Sequence, residues 1–309
     1  MTDRQLGYSA GQSAPAAPRR RRNNWALIGC LVLVALVTIP GTVLWGLIAA
    51  SDDGPGDDPR HQVKEHALPP GPGTIELGIR MAEVEISPGP AGSPLRLDAD
   101  WNAAIFRLDE GLEQKEGGWK YHLRFGGRGL ALLRHHEHHP SRLRLQIPVD
   151  HPLSIEGKVS MGESELDLGG LALDRVSLRL STGNHRLSFR EPTPQPLSLL
   201  EVEGSMGQVT VIGAGNASPR HIDVRHGMGE LLLDLSGKWR ADGEVDVNFR
   251  MGDSRVELPR EDEAAAIVEK ARVSLGDRSV TDTPVAELPT GLPKVRLRAT
   301  GGMGELRIR

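Results

Sequence analysis

The sequence of 309 residues has a single cysteine, Cys30. No disulfide can form within the chain, so its fold must rest on packing and hydrogen bonds even in an oxidising compartment. Aromatic residues are also scarce, with five Trp, two Tyr and four Phe. A core so poor in rings has to be filled by aliphatic side chains. The 37 Gly and 22 Pro favour many short elements separated by turns. Basic excess is missing too: the formal net charge is −4. Arg4 and Arg19–Arg22 lie before Trp25 with only Asp3 opposing them, so the remainder is more acidic than the whole. That balance gives no support to nucleic-acid binding. No nucleophile–base constellation is present. "VIGAGNASP" is glycine-rich but lacks the strand–GxGxxG–helix context of a nucleotide site, and no cofactor is expected.

Long hydrophobic runs are absent everywhere except Trp25–Ala50, which is uncharged and long enough to cross a bilayer as a helix. Trp25 and Trp45 stand near its ends, where indole rings prefer the headgroup level. Four arginines precede it and "SDDGPGDD" follows, which places the N-terminus in the cytoplasm and the rest outside. A cleaved signal peptide is the rival, and "LIGC" resembles a lipoprotein box, but the apolar segment is too long for a signal core. An uncleaved single-pass anchor through residues 25–50 of the cytoplasmic (inner) membrane is the favoured reading, with the lipid bilayer as its partner. Residues 1–24 read as a disordered cytoplasmic tail. Residues 51–73 read as a flexible Pro/Gly/Asp spacer.

From Thr74 to Arg309 the chain alternates apolar and polar residues with period two, as strands do. One phrase returns: Met81-Ala82, Met161-Gly162, Thr182-Gly183, Met206-Gly207, Met228-Gly229, Met251-Gly252 and Met303-Gly304. From Gly162 to Gly252 the steps are 21, 24, 22 and 23 residues. The interval from Gly252 to Gly304 reads as two repeats plus an insertion, with "EDEAAAIVEKA" at residues 261–271 expected as a short helix. Apart from Met1, every Met occupies this slot.

Parity gives the pattern its meaning. In "HIDVRHGMGELLLD", Ile222 and Val224 share the phase of Met228, whereas Leu231 and Leu233 lie on the opposite one. A straight strand would turn half of this apolar set to solvent. The chain must therefore bend at Gly162, Gly183, Gly207, Gly229, Gly252 and Gly304, where the missing Cβ permits a corner. The expected fold is all-β, a parallel β-helix-like solenoid of about 22-residue strand–Gly corner–strand coils. A propeller or a sandwich does not explain the corner. In such a stack each Met is expected inward, packed on the Met of the next coil as filler. A copper site on the row is set aside, since thioether ligands must be open and convergent rather than buried. Residues 98–150 are less regular, with a hairpin expected around "DEGLEQKEGG".

"LRLQIPVDHPLSIEGKVSMGESELDL", a strand ending in Pro, a short turn and then strand–Gly–strand coils, resembles the "putative-adhesin" or toastrack domains of bacterial envelope proteins. The resemblance spans roughly residues 74–309. It implies a membrane-anchored, non-catalytic binding or scaffold domain outside the cytoplasm, in some relatives an accessory to cell-wall-stress signalling. An envelope protein or polymer is then the expected partner.

Three groups carry candidate chemistry. His135, His136, His138 and His139 crowd around Glu137 and could hold a metal, or form a solvated loop. Trp101, Trp119 and Tyr121 could stack on glycan, or close the end of the stack, the preferred reading. Outward carboxylates could serve a carbohydrate-active β-helix enzyme, the alternative function, if two of them converged in a groove. Otherwise function falls to outward positions such as Gln208 and Thr210.

Overall fold

The computed structural model describes residues 58–128, 141–281 and 291–309. The expected tail and membrane segment lie outside them, as do His135, His136, His138 and His139. Described residues all fall in one unit, Gly54–Arg309. The architecture is all-β. Among the described residues no α-helix is present, and no helix is long and apolar enough to cross a membrane.

Seven shorter strands come first: β1 (Pro59–His66), β2 (Gly73–Ile79), β3 (Glu83–Gly89), β4 (Leu95–Asn102), β5 (Phe106–Lys115), β6 (Gly118–Gly127) and β7 (Arg142–Pro148). Five long ones follow: β8 (Leu153–Asp167), β9 (Leu173–Ser188), β10 (Leu199–Ile212), β11 (His221–Asp234) and β12 (Gly243–Glu257). Then come β13 (Ala265–Leu275), β14 (Arg278–Val280) and the long β15 (Lys294–Ile308). One open sheet holds all fifteen, in the order β1-β4-β7-β3-β8-β9-β10-β11-β12-β15-β13. β14 pairs with β15, and β2, β6 and β5 continue from the first half of β8.

From β8 through β15 the neighbours are parallel and in register, each Gly corner beside the next. Every second residue is buried on both sides of the corner: Ile222, Val224 and His226 before it in β11, Leu231 and Leu233 after it. The corner glycines have φ between 109° and 137°, a region L-residues avoid. Contact between rungs forbids a side chain as well. A Cβ on Gly183, Gly207, Gly229, Gly252 or Gly304 would lie 1.9–2.2 Å from the carbonyl oxygen of the preceding rung's glycine. Each fully buried Val, Leu or Ile contributes about 1.5–3 kcal/mol, and such residues run the length of the sheet.

Four expectations are corrected. Residues 261–271 are not a helix. After a turn, Ala265–Leu275 runs as β13 on the edge of β15, where ladder hydrogen bonds override the local helix preference. Its Leu275-Gly276 is a further corner, with φ 132° at Gly276, and β15 is inserted between β12 and β13. Within residues 51–73, Pro59–His66 is not spacer but β1, antiparallel to β4. Residues 98–150 are regular where described: β5 and β6 form the hairpin, but its turn is at Glu116-Gly117 rather than around the whole acidic stretch.

The fourth correction concerns the methionines. The inner angle of the bend is filled by the residues two before and three after the Met position, such as Val159 with Ser164 and His226 with Leu231, and at Gly204 and Gly301 by His226 and Phe249 reaching across from the neighbouring rung. No room is left there, and the Met side chains lie on the outside. Met161, Met206, Met228, Met251 and Met303 are 43–52% exposed.

Candidate functional site: an outward methionine ridge and the grooves beside it

With Val63 and Leu275, these five methionines are the exposed large hydrophobics among the described residues. Register aligns them. Met206 pairs with Met228, Met228 with Met251 and Met251 with Met303, while Thr182 separates Met161 from this run. Leu275 closes the row beside Met303. Met81 stands apart, half-buried at φ 61° and packed against the core.

Two residues past each Met runs a polar row: Glu163, Asn184, Gln208, Glu230, Asp253 and Glu305. It borders a shallow groove of about 230 Å³ over Gln208, Glu230, Asp253, Glu305 and Arg307. Glu305 is held by Arg307, whose hydrogen bond keeps its carboxyl below the usual range. On the other side of the ridge a groove of about 510 Å³ is lined by Ser205, Gly227, Arg250, Gly301 and Gly302. Small residues form its floor because Phe249 and His226 lean across neighbouring rungs. A Cβ on Gly301 would meet Phe249 at 2.0 Å, and one on Gly204 would meet His226 at 2.4 Å.

Where the second half of β8 meets β3, Glu83, Glu85, Glu163 and Glu165 line a groove of about 390 Å³ with Arg142 and Arg186. Glu85 and Glu165 are direct register partners. Three of these carboxylates have arginines at hand: Arg142 at 3.0 Å from Glu83, Arg144 at 3.3 Å from Glu85 and Arg190 at 3.2 Å from Glu165. Gln208 and Thr210 border the same groove.

On the floor of the same groove Ser164 Oγ and His185 Nδ1 are 2.8 Å apart. Both are buried, and burial lowers the His185 pKa. The pair sits in the inner angle of the corner, where both side chains are almost fully covered. A second row, Glu201–Asp223–Asp246, crosses three adjacent strands on the outward face. Desolvation pushes Asp223 up, its two acidic neighbours add to this, and Arg225 pulls it down.

Of the residues singled out from the sequence, the six glycines stand together along the bend. Trp101, Trp119 and Tyr121 are all buried and so cannot offer a stacking platform. The His135–His139 group lies outside the described residues. One cluster carried no sequence signal: His61, Asp98 and Asp100, whose ligand atoms lie within 4.8 Å of one another. Only the pairing of β1 with β4 brings them together. Asp98 and Asp100 also face Arg144 and Arg142 in register, so the cluster reads as a surface charge network.

No family model and no curated protein matches the chain. Some solved structures align with the chain at low similarity. A "putative cell adhesion protein" from Clostridium sporogenes is 12% identical with a TM-score of 0.42, covering 81% of this chain and 99% of that one. A "putative adhesin" from Parabacteroides merdae is 11% identical with a TM-score of 0.33, covering 81% and 96%. Another from Bacteroides fragilis is 9% identical with a TM-score of 0.30, covering 81% and 97%. Likeness at this level speaks to neither ligand nor activity.

Proposed function

We propose that the chain is a single-pass inner-membrane protein whose extracytoplasmic β-solenoid acts as a non-catalytic scaffold, docking an envelope protein or polymer. One observation carries the reading: the in-register ridge of exposed methionines with a groove on either side. Soluble proteins rarely leave aligned apolar side chains uncovered without a binding role, and flexible Met suits surfaces that adapt to partners. Anchoring through Trp25–Ala50 rests on the sequence, and a role as a stress-signalling accessory rests on the toastrack resemblance.

The test is capture from the native envelope by the full-length chain, compared with a Met206→Ser/Met228→Ser/Met251→Ser variant and with Arg96→Ala on β4. The docking reading expects the same partner with wild type and Arg96→Ala and its loss from the triple variant. Equal capture by all three would refute the ridge as the docking face. A reporter fused after Arg309 tests the orientation and should be active only outside the cytoplasm.

The carboxylate groove supports a second reading, a carbohydrate-active enzyme, because Glu83, Glu85, Glu163 and Glu165 share one concavity. Arginine pairing of three of them weakens it, since an ion-paired carboxylate is a poor proton donor. Release of soluble sugar from envelope polysaccharide by wild type but not by Glu163→Gln or Glu165→Gln would establish it.

A further inference from the structure

The corner does not demand methionine. Thr182 and Leu275 occupy the same slot, backed by the same geometry: φ is 137° at Gly183 and 132° at Gly276. Nor does the core demand it, since these side chains lie outside. Apolar area alone would be served by leucine, as it is at Leu275. What methionine adds is a thioether sulfur on an unbranched, flexible stem, and sulfur of this kind selects soft cations such as Cu(I).

The ladder sets the spacing. Met206, Met228, Met251 and Met303 are direct partners on four successive parallel strands, and neighbouring strands lie about 4.8 Å apart. With metal–sulfur bonds of roughly 2.3 Å, as in thiolate sites, two sulfurs on one ion lie up to about 4.6 Å apart. Sulfurs on adjacent rungs can therefore share an ion by side-chain rotation alone, with the backbone unmoved. Two exposed carboxylates, Glu230 and Asp253, stand two residues past Met228 and Met251, while Glu305 beside Met303 is paired with Arg307. The objection to a thioether site in a buried stack does not apply to a row that faces solvent.

We propose that Met206, Met228, Met251 and Met303 form a thioether ladder for soft monovalent cations, of the Cu(I) class, each ion held by sulfurs of adjacent rungs. This goes beyond the docking reading and is separable from it, because Met→Leu keeps the apolar ridge and removes the ligand atoms. The ion is bound without redox change, so Ag(I) serves as an inert probe.

The experiment uses the full-length chain in detergent with Cys30→Ser and with His135, His136, His138 and His139 replaced by Ala, which removes competing ligands. Methionine methyl groups labelled with carbon-13 are followed by NMR as Ag(I) is added. The resonances of Met206, Met228, Met251 and Met303 should shift at stoichiometric Ag(I) and stay in place with Zn(II). Against a chromogenic Cu(I) chelator, a variant with all four changed to Leu should hold Cu(I) more weakly than its parent. The expected loss is at least the roughly tenfold that even an outer-sphere partner of a metal is worth. Unmoved methyl resonances, or unchanged Cu(I) retention in the folded Leu variant, would overturn the proposal. The NMR titration needs none of the Met→Leu changes, so it decides the matter even if that variant fails to fold.

Discussion

Gly229→Ala tests the architecture at its most constrained point. The wild-type backbone sits at φ 122°, and a Cβ there would lie 2.0 Å from the Gly207 carbonyl oxygen and 2.9 Å from its carbon. Backbone strain in this region costs on the order of 1–3 kcal/mol. The overlap adds more, because even a close carbon–oxygen contact is about 3.3 Å and the two rungs must part by more than an ångström. Parting them disrupts at least one ladder hydrogen bond in a partly buried setting, about 1–3 kcal/mol. Together the loss is roughly 2–6 kcal/mol, a large share of the 5–15 kcal/mol typical of a folded protein. Gly117→Ala is the matched control: φ is 87° and nothing lies within 4 Å of its Cβ, leaving only the strain of about 1–2 kcal/mol. Urea denaturation of both variants, followed by far-UV circular dichroism, gives the difference. If Gly229→Ala loses no more stability than Gly117→Ala, steric contact between rungs does not hold the corner to glycine.

Brief peroxide treatment should oxidise Met161, Met206, Met228, Met251 and Met303 together and leave the melting transition nearly in place, because these side chains fill no core; peptide mapping and circular dichroism check both halves, and unfolding on oxidation would contradict the outward placement. Thr182→Met should change stability by less than about 0.5 kcal/mol, as exposed substitutions do, while joining Met161 to the longer run; a loss well above 1 kcal/mol in urea melts would show that the slot is sterically selective. Burial lowers the pKa of both His185 and His226, in the latter against the pull of the Gly207 and Met228 backbone. For a base depressed in the folded state the stabilising contribution is complete above the unfolded value near 6.5 and is lost as pH falls through the lower folded value. Stability should therefore drop on acidification below about pH 6.5, and His226→Leu should flatten part of that drop; an unchanged pH profile would refute the assignment.

Much of the framework was legible because the physics involved is local. Parity is a property of neighbours along the chain, so the reversal between Val224 and Leu231 announces a bend without knowledge of what packs where. The glycine requirement follows equally directly. What was hidden depends on pairing between distant segments. Pro59–His66 looks like linker because its side chains are exposed, and its order comes from hydrogen bonds to β4. Ala265–Leu275 carries a helix-like acidic start and an alanine run, yet the free edge of β15 decides its state. Its corner bears Leu275 where five other rungs bear Met, so no repeated phrase marks it. The His61–Asp98–Asp100 cluster joins strands with no common sequence phrase.

The direction of the methionines shows where parity stops being a guide. Alternation predicts the side a residue faces only while the strand continues, and the Met is the last residue before φ passes to the positive side at glycine. Counting from Ile222 and Val224 places Met228 inward, but the inner angle already holds His226 and Leu231. The same fact gives the slot its significance. Each rung delivers one side chain to the outer edge at a fixed spacing, with little demand from the core on what that side chain is. Thr182 and Leu275 show that tolerance. A position released from packing is free to answer to another requirement, and the repeated choice there of an oxidisable, sulfur-bearing residue over leucine is what a binding role for the ridge explains and a packing role does not.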